Sequence, residues 1–362
     1  MKKENYKTVA PGLGVWLRRA LVGVGVLAGG GVAAYFLVNN ALSVPPYKGQ
    51  ESDHFADGHF KNPWPTEEHG FADFLRWQLS SERGPWREWT DAQPGPPPPP
   101  RVEGGRLRVT YVNHATTLVQ LDGINVLTDP VWSERVSPFK WAGPKRVRPP
   151  GIRFEDLPRI DAVLISHNHY DHMDVETLRR LKEAHNPRFF VGLGNAPVLE
   201  RAGVGAATEL DWWQSANLGG GVEVVGVPAQ HFSGRSLRDR NRALWCGYLL
   251  KGPSGVVYFA GDTAAAPHFG QIRERYGPPR LALLPIGAYL PRWFMRAVHV
   301  SPDEAVAAHD ALGARTSVGI HFGTFPLADD GETEAVETLR RALPAGREDF
   351  RVLDFGEGRD VP

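Results

Sequence analysis

The chain has 362 residues, with 41 basic and 41 acidic side chains and a formal net charge of +0, a balance that excludes the strongly basic surface of a nucleic-acid binder. Cys246 is the only cysteine, which excludes an intrachain disulfide framework and any cysteine-based zinc site. At 42% hydrophobic residues the length suffices for one large core or two smaller ones, and metal chemistry must rest on the 13 histidines and on carboxylates.

Residues Ala20 to Val38 carry no charge, long enough for a membrane-anchor helix at ~1.5 Å rise per residue. Lys2, Lys3, Lys7, Arg18 and Arg19 precede it and Lys48 alone follows closely. The positive-inside bias therefore predicts a membrane-associated protein with a single N-terminal span, the N-terminus cytoplasmic and the bulk of the chain on the outer side. The rival readings are a cleaved signal peptide, with Ala41-Leu42-Ser43 at its end, and a twin-arginine export signal at Arg18-Arg19, either giving an exported form. Residues 1–43 form this anchor or signal segment. Residues 44–105 form an extension with a helix expected over Phe71 to Leu79, followed by the run Pro94 to Pro100, which lacks the donors for helix or sheet and reads as a polyproline II spacer. The main domain is expected over 106–362.

From Leu107 the pattern turns to short strands. Leu107 to Val112, Thr117 to Leu121 and Ile124 to Thr128 predict an antiparallel meander with His114 in its first turn. The loop Asp129 to Pro150 is too long and too aromatic to be a mere connector. Ile160 to Ile165 reads as a buried strand and Met173 to His185 as a helix with Val175, Leu178 and Leu181 on one face. Between them stands His167-Asn168-His169-Tyr170-Asp171-His172, three imidazoles and a carboxylate at a strand-to-helix turn. Neutral imidazole and carboxylate are preferred ligands of zinc and similar divalent metals. In an extended turn His167 and His169 point toward one metal, while Asp171 and His172 diverge toward a second.

Downstream, strands and helices alternate, giving an α/β fold. Val222 to Val227 is a strand leading to His231. Leu249 to Ala260 is a hairpin turning at Gly252 to Gly255 and leading to Asp262. Ser301-Pro302-Asp303-Glu304 opens a helix, and Ser317 to Ile320 is a strand leading to His321. Taken singly, His231 or His321 reads as a satisfied core histidine and Asp262 as a turn residue. Taken together, they complete two sets: His167, His169 and His231 on one metal, Asp171, His172 and His321 on the other, with Asp262 bridging. His114 reads equally as a strand-end hydrogen bond or as support for a ligand. His185, His268, His299 and His309 read as ordinary surface or helix residues.

The motif resembles the HxHxDH signature of the metallo-β-lactamase superfamily, which implies an αββα sandwich with a dinuclear site at one edge of two packed sheets. Asn62-Pro63-Trp64-Pro65, Thr128-Asp129-Pro130, Gly143-Pro144-Lys145-Arg146, Asp211-Trp212-Trp213, Pro291-Arg292-Trp293-Phe294-Met295 and His321-Phe322-Gly323-Thr324-Phe325 further resemble the N-acyl-phosphatidylethanolamine-hydrolysing phospholipase D family, over roughly residues 58 to 356. The resemblance implies a dinuclear enzyme holding two Zn2+, other divalent metals being admissible, that releases N-acylethanolamine from a membrane phospholipid and leaves phosphatidic acid. It also implies a homodimer at a membrane surface. The seven residues above carry over as ligands, Asp171 and Asp262 as the catalytic pair, and Arg235 as a basic residue near the substrate phosphate. The expected chemistry is attack by a hydroxide shared between metals ~3.5–4 Å apart. Tyr170, Lys140 and Trp141 are further substrate-binding candidates. Phe139-Lys140-Trp141 departs from the polar glutamine-tyrosine loop of mammalian members, which bears on the lipid accepted. Trp293 and Phe294 are expected to form a lip for acyl chains. The competing readings are a hydrolase of another ester, a lactone or a soluble phosphodiester, on the same fold, and a non-catalytic membrane-anchored metal-binding protein.

Overall fold

The computed structural model describes residues 38–362. The short apolar runs and glycine turns form a hairpin, β1 (Phe55–Ala56) and β2 (His59–Phe60), and then two large sheets. The first half of the main chain supplies β3 (Leu107–Asn113), β4 (Thr116–Leu121), β5 (Ile124–Thr128), β6 (Ala162–Ile165), β7 (Arg188–Gly192) and β8 (Thr208–Leu210). The second half supplies β9 (Ser215–Gly219), β10 (Val222–Val227), β11 (Gly247–Gly252), β12 (Gly255–Phe259), β13 (Leu281–Pro285), β14 (Ser317–Ile320) and β15 (Phe350–Arg351), with β16 (Gly358–Val361) returning to the first sheet. The orders are β16-β3-β4-β5-β6-β7-β8 and β15-β14-β13-β12-β11-β10-β9. The expected meander and the hairpin that pairs Gly252 with Gly255 are both present.

The sheets pack face to face. Tyr111, Val119, Val126 and Leu164 of the first meet Val224, Tyr248, Phe259 and Leu283 of the second in one core. The outer face of the first sheet buries Leu118, Val163 and Ile165 against Leu178, Leu181 and Leu199 of the helices Val175–His185 and Ala196–Arg201. On the second sheet Phe269, Ala305 and Leu339, from the helices His268–Tyr276, Pro302–Leu312 and Glu334–Ala342, fill the same role. The layers are therefore αββα, and strands buried on both faces read as continuous apolar runs.

Direction matters most for the site. β5 to β8 are parallel, as are β12 to β15, and β10 reaches the direction of β12 through two antiparallel pairings. The chain leaving β6, β10, β12 and β14 thus emerges at one edge. The extension lies along the sandwich: Phe55 and Phe60 join the core, and the carbonyls of Pro99 and Pro100 accept from Gln120 and Asn125. The expected helix is present as Phe71–Ser80.

The N-terminal span is not supported. A membrane-crossing helix needs ~20 apolar residues. Among the described residues no helix is long and apolar enough to cross a membrane, and the stretch expected to do so lies outside them except for Val38. The single span, and the outer-side localisation derived from it, are therefore withdrawn.

Candidate metal centre

After Ile165 the chain leaves β6 in a tight turn that other segments hold open. The Cys246 amide donates to the Ser166 carbonyl, and the Gly234 amide donates to the Asn168 side chain. Asp174 ends the turn by accepting from the amides of Glu176 and Thr177, capping the following helix. Two glycines are required at this edge. Gly261 has φ +60°, and a Cβ on it would stand 2.5 Å from the Ser166 Cβ; a Cβ on Gly287 would stand 2.0 Å from the His321 carbonyl oxygen. Their bare backbones let the segments bearing Asp262 and His321 close on the motif.

The seven expected residues converge. His167 Nε2 lies 2.8 Å from His169 Nδ1, and His231 Nε2 lies 3.4 Å from that same atom. Beside them Asp171 Oδ2 lies 3.2 Å from His172 Nε2 and 3.5 Å from His321 Nε2. Asp262 stands between: its Oδ2 is 3.1 Å from His172, 3.2 Å from His321, 3.8 Å from His231 and 3.9 Å from His167. One carboxylate oxygen thus faces two imidazole nitrogens of each set.

The remaining ring atoms indicate what this concentration of nitrogen is for. Asp129, fully buried, accepts from the Ser166 amide at 2.7 Å, from the Ser166 hydroxyl at 2.5 Å and from His172 Nδ1 at 2.6 Å. The Ser166 hydroxyl, having donated to Asp129, accepts from His167 Nδ1 at 2.9 Å. His231 Nδ1 donates to the Val298 carbonyl at 2.9 Å. With Nδ1 protonated in all three rings, each must turn an Nε2 lone pair inward. Buried His172 Nε2, both nitrogens of His321 and Asp262 Oδ1 have no hydrogen-bond partner, a cost a fold avoids unless something else binds there. Convergent lone pairs, two carboxylates and outer partners that fix the tautomers fit divalent metal binding.

The first histidine set is neutral as ligands require, whereas the carboxylates around His172 and His321 favour protons there that a bound cation would displace. Burial pushes His167 and His231 well below the ordinary histidine value and His169 down to about 4, leaving neutral ligands. Burial would raise Asp171 and Asp262, but His172, with His114 and His321 around the first and His321 and His299 around the second, holds both well below the usual carboxylate range. Burial likewise opposes charge on His321, and Asp262 and Asp171 outweigh it, lifting the group to about 9.

The substrate candidates divide. Tyr170, Arg235, Phe139 and Lys140 line one groove of about 660 Å³. Arg235 is nearly buried and donates to the carbonyls of Asn168 and Met173, so it braces the motif turn as well as facing the groove. Lys140 is exposed and pairs with Glu176 at 3.0 Å, and Trp141 is exposed beside it. Trp293 and Phe294 lie apart from this groove, against His69 and Trp77.

Four residues gain a place that the sequence reading did not assign. Asp129 is the shared acceptor described above. His114 donates from Nε2 to Asp171 Oδ2 at 2.9 Å, which resolves its two readings in favour of supporting Asp171. Asn62 of the extension clamps His231, accepting from its amide at 3.1 Å and donating to its carbonyl at 2.8 Å. His299 corrects the reading as an ordinary residue: it is buried, its ring lies 5.2 Å from His231 and 5.4 Å from His321, and its Nδ1 has no partner. His268 and His309 are buried helix residues, and neither is at the surface.

Comparison with known proteins places this geometry. A beta-lactamase superfamily domain model matches residues 124–322. An N-acyl-phosphatidylethanolamine-hydrolyzing phospholipase D of Caenorhabditis elegans is 42% identical over 268 residues, covering 69% of this chain and 75% of its own length. A mitochondrial protein of the same name from Saccharomyces cerevisiae is 35% identical over 245 residues, covering 66% of this chain and 52% of its own. Among solved structures, the metallo hydrolase Igni18 of Ignicoccus hospitalis superposes with a TM-score of 0.52 at 24% identity, over 71% of this chain and 99% of that one, a likeness of fold.

Proposed function

This chain belongs to the N-acyl-phosphatidylethanolamine-hydrolysing phospholipase D family of metallo-β-lactamase-fold, metal-dependent hydrolases, and from that premise we propose that it cleaves an N-acyl-phosphatidylethanolamine-like lipid at the phosphate–ethanolamine bond. Water adds oxygen to phosphorus, the bond from phosphorus to the ethanolamine oxygen breaks, and that oxygen leaves with a proton as N-acylethanolamine. Phosphatidic acid remains. The observation that carries the reading is the position of Asp262 Oδ2, 3.1–3.9 Å from nitrogens of both histidine sets.

In this reading His167, His169 and His231 would hold one zinc ion and Asp171, His172 and His321 the other, with Asp262 within reach of both sets. Two such ions supply Lewis acidity and lower the pKa of water into the neutral range. Asp171, kept ionised and fixed by His114, orients the attacking water. His299, with its unpartnered nitrogen, donates to an oxygen of the phosphate. Tyr170 and Lys140 flank the path of the head group with Trp141 exposed beside them, and Arg235 holds the motif turn while facing the same groove. The test is lipid mass spectrometry of N-acyl-phosphatidylethanolamine vesicles incubated with zinc-loaded protein. Matched gains of phosphatidic acid and N-acylethanolamine are expected; loss of a fatty acid instead, or no product, would refute the assignment.

A further inference from the structure

One of the expected ligand histidines lacks the outer support that three others have. Ser166, Asp129 and the Val298 carbonyl accept from the Nδ1 of His167, His172 and His231, whereas His321 Nδ1 is buried with no partner. The backbone at His321 is left-handed, at φ +64°, a conformation that persists in a residue other than glycine only where its surroundings over-determine it. Two contacts do so. Its amide donates to the His114 carbonyl at 2.7 Å, and Gly287 packs against its carbonyl oxygen. Nothing comparable holds the side chain. Beside it lies a cavity of about 10 Å³, room for a single water molecule, lined by His321, His114, Ala288, Phe325, Asp330 and Ala335.

Asp330 supplies the charged wall of this cavity. It is buried; its Oδ1 accepts from the Tyr289 amide at 3.1 Å, and its Oδ2 accepts from the Ala288 amide, also at 3.1 Å. A carboxylate oxygen has two acceptor sites, so Oδ2 keeps one free. The extension fixes the turn that carries it. The Trp86 indole donates to the Asp330 carbonyl at 2.9 Å, the Gly84 amide to the Asp329 carbonyl at 2.7 Å, and the Glu332 amide to the Pro85 carbonyl at 3.0 Å. Arg87 closes the clamp with two bonds to the Glu332 carboxylate. We propose that Asp330 is a positioning residue for His321: one water in the cavity accepts from His321 Nδ1–H and donates to the Asp330 carboxylate, which turns the Nε2 lone pair toward the metal centre. The proposal rests on the metal-centre reading, in which His321 binds a cation through Nε2. Water suits the place because it accepts and donates at once. It gives His321 through one bridge what Asp129 gives His172 directly, a fixed tautomer and a fixed ring.

Two variants of the full chain test this. Ala335 is buried and lines the cavity from the helix Glu334–Ala342, so the added methyls of Ala335→Val displace the water and leave the bonds from Asp330 to Ala288 and Tyr289 in place. Asp330→Asn keeps the shape and removes the charge. Circular dichroism confirms that each chain is folded. Each is then stripped of metal and titrated with zinc against a chromophoric chelator, and wild type and Ala335→Val are crystallised. The wild-type crystal is expected to show a water within hydrogen-bond reach of both His321 Nδ1 and Asp330, and Ala335→Val to lack it. In both variants one zinc-binding step should weaken roughly tenfold, as for other outer partners of metal ligands, while the other step stays unchanged. A dry wild-type cavity overturns the proposal. So does wild-type zinc affinity in either folded variant, or an equal loss at both steps, the mark of general loosening. If wild type binds no zinc the metal-centre reading fails instead, and the crystal structure by itself decides whether the water bridges His321 to Asp330.

Discussion

Replacing Asp129 by asparagine tests the arrangement behind the ligands. Oδ1 accepts from the Ser166 amide, and Oδ2 from the Ser166 hydroxyl and from His172 Nδ1. An asparagine can keep its oxygen on the amide, but it then sets an NH2 group where Oδ2 was. The Ser166 hydroxyl can rotate to accept from that group. His172 Nδ1–H cannot; it must lose its partner or move its proton to Nε2, the atom facing Asp171 and Asp262 at 3.2 and 3.1 Å. A hydrogen bond to a charged acceptor contributes ~1.5–3 kcal/mol. At ~1.4 kcal/mol per tenfold, that is roughly a 10- to 150-fold loss of metal affinity, in line with the ~10- to 100-fold typical of outer partners of metal ligands. Competition against a chromophoric chelator measures it directly, with circular dichroism confirming the fold. Ser166→Ala, which leaves His172 its acceptor, should lose less than Asp129→Asn. Zinc affinity of Asp129→Asn within about twofold of wild type, far below the loss of one charged hydrogen bond, would refute the claim that Asp129 fixes the His172 tautomer.

Asp262→Asn should abolish lipid turnover while thermal unfolding shows a folded domain, because the amide cannot present an anionic oxygen to both histidine sets; near-normal turnover would contradict the bridging role. Dialysis against a strong chelator should stop turnover and zinc should restore it, whereas activity surviving complete metal removal, checked by elemental analysis, would remove the metal from the mechanism. A pH effect is expected away from the site, at buried His54, whose ring nitrogens lie 2.6 Å from Asp53 and 2.8 Å from Asp211. Burial lowers its pKa, but the two carboxylates outweigh burial and raise it. The bonded imidazolium therefore stabilises the fold fully below the unfolded value of ~6.5 and loses that contribution as pH rises through the higher folded value. Urea titrations of wild type and His54→Gln should differ most near pH 6 and converge in alkali; a gap that widens with pH would reverse the argument.

What could be read from sequence, and what could not, follows from the range of the forces involved. His167 to His172 is dense because one turn supplies four groups, and density survives without a fold. His231, Asp262 and His321 were also legible, each sitting shortly after an apolar strand, and parallel strands deliver their ends to one edge. Asp129 lacks both marks. Asp129 opens the long loop to Pro150 and carried only a family likeness, and its partners Ser166 and His172 lie 37 and 43 residues away. His299 follows no strand of its own; it reaches the site because its amide closes a turn on Met295, a local bond with a distant consequence. The extension misled in another way. Only its run Pro94 to Pro100 read as a spacer and Asn62 was given no role at the site, yet Asn62 holds both backbone groups of His231. The helix Phe71–Ser80 was found in nearly the right place, while the direction of its apolar row was not, since periodicity sets which residues share a face but leaves open whether that face meets the core. Here packing decides: Trp77 bonds to Asp329 and stacks on Phe294, Arg76 lies over Trp293, and these contacts turn Leu75 and Leu79 outward.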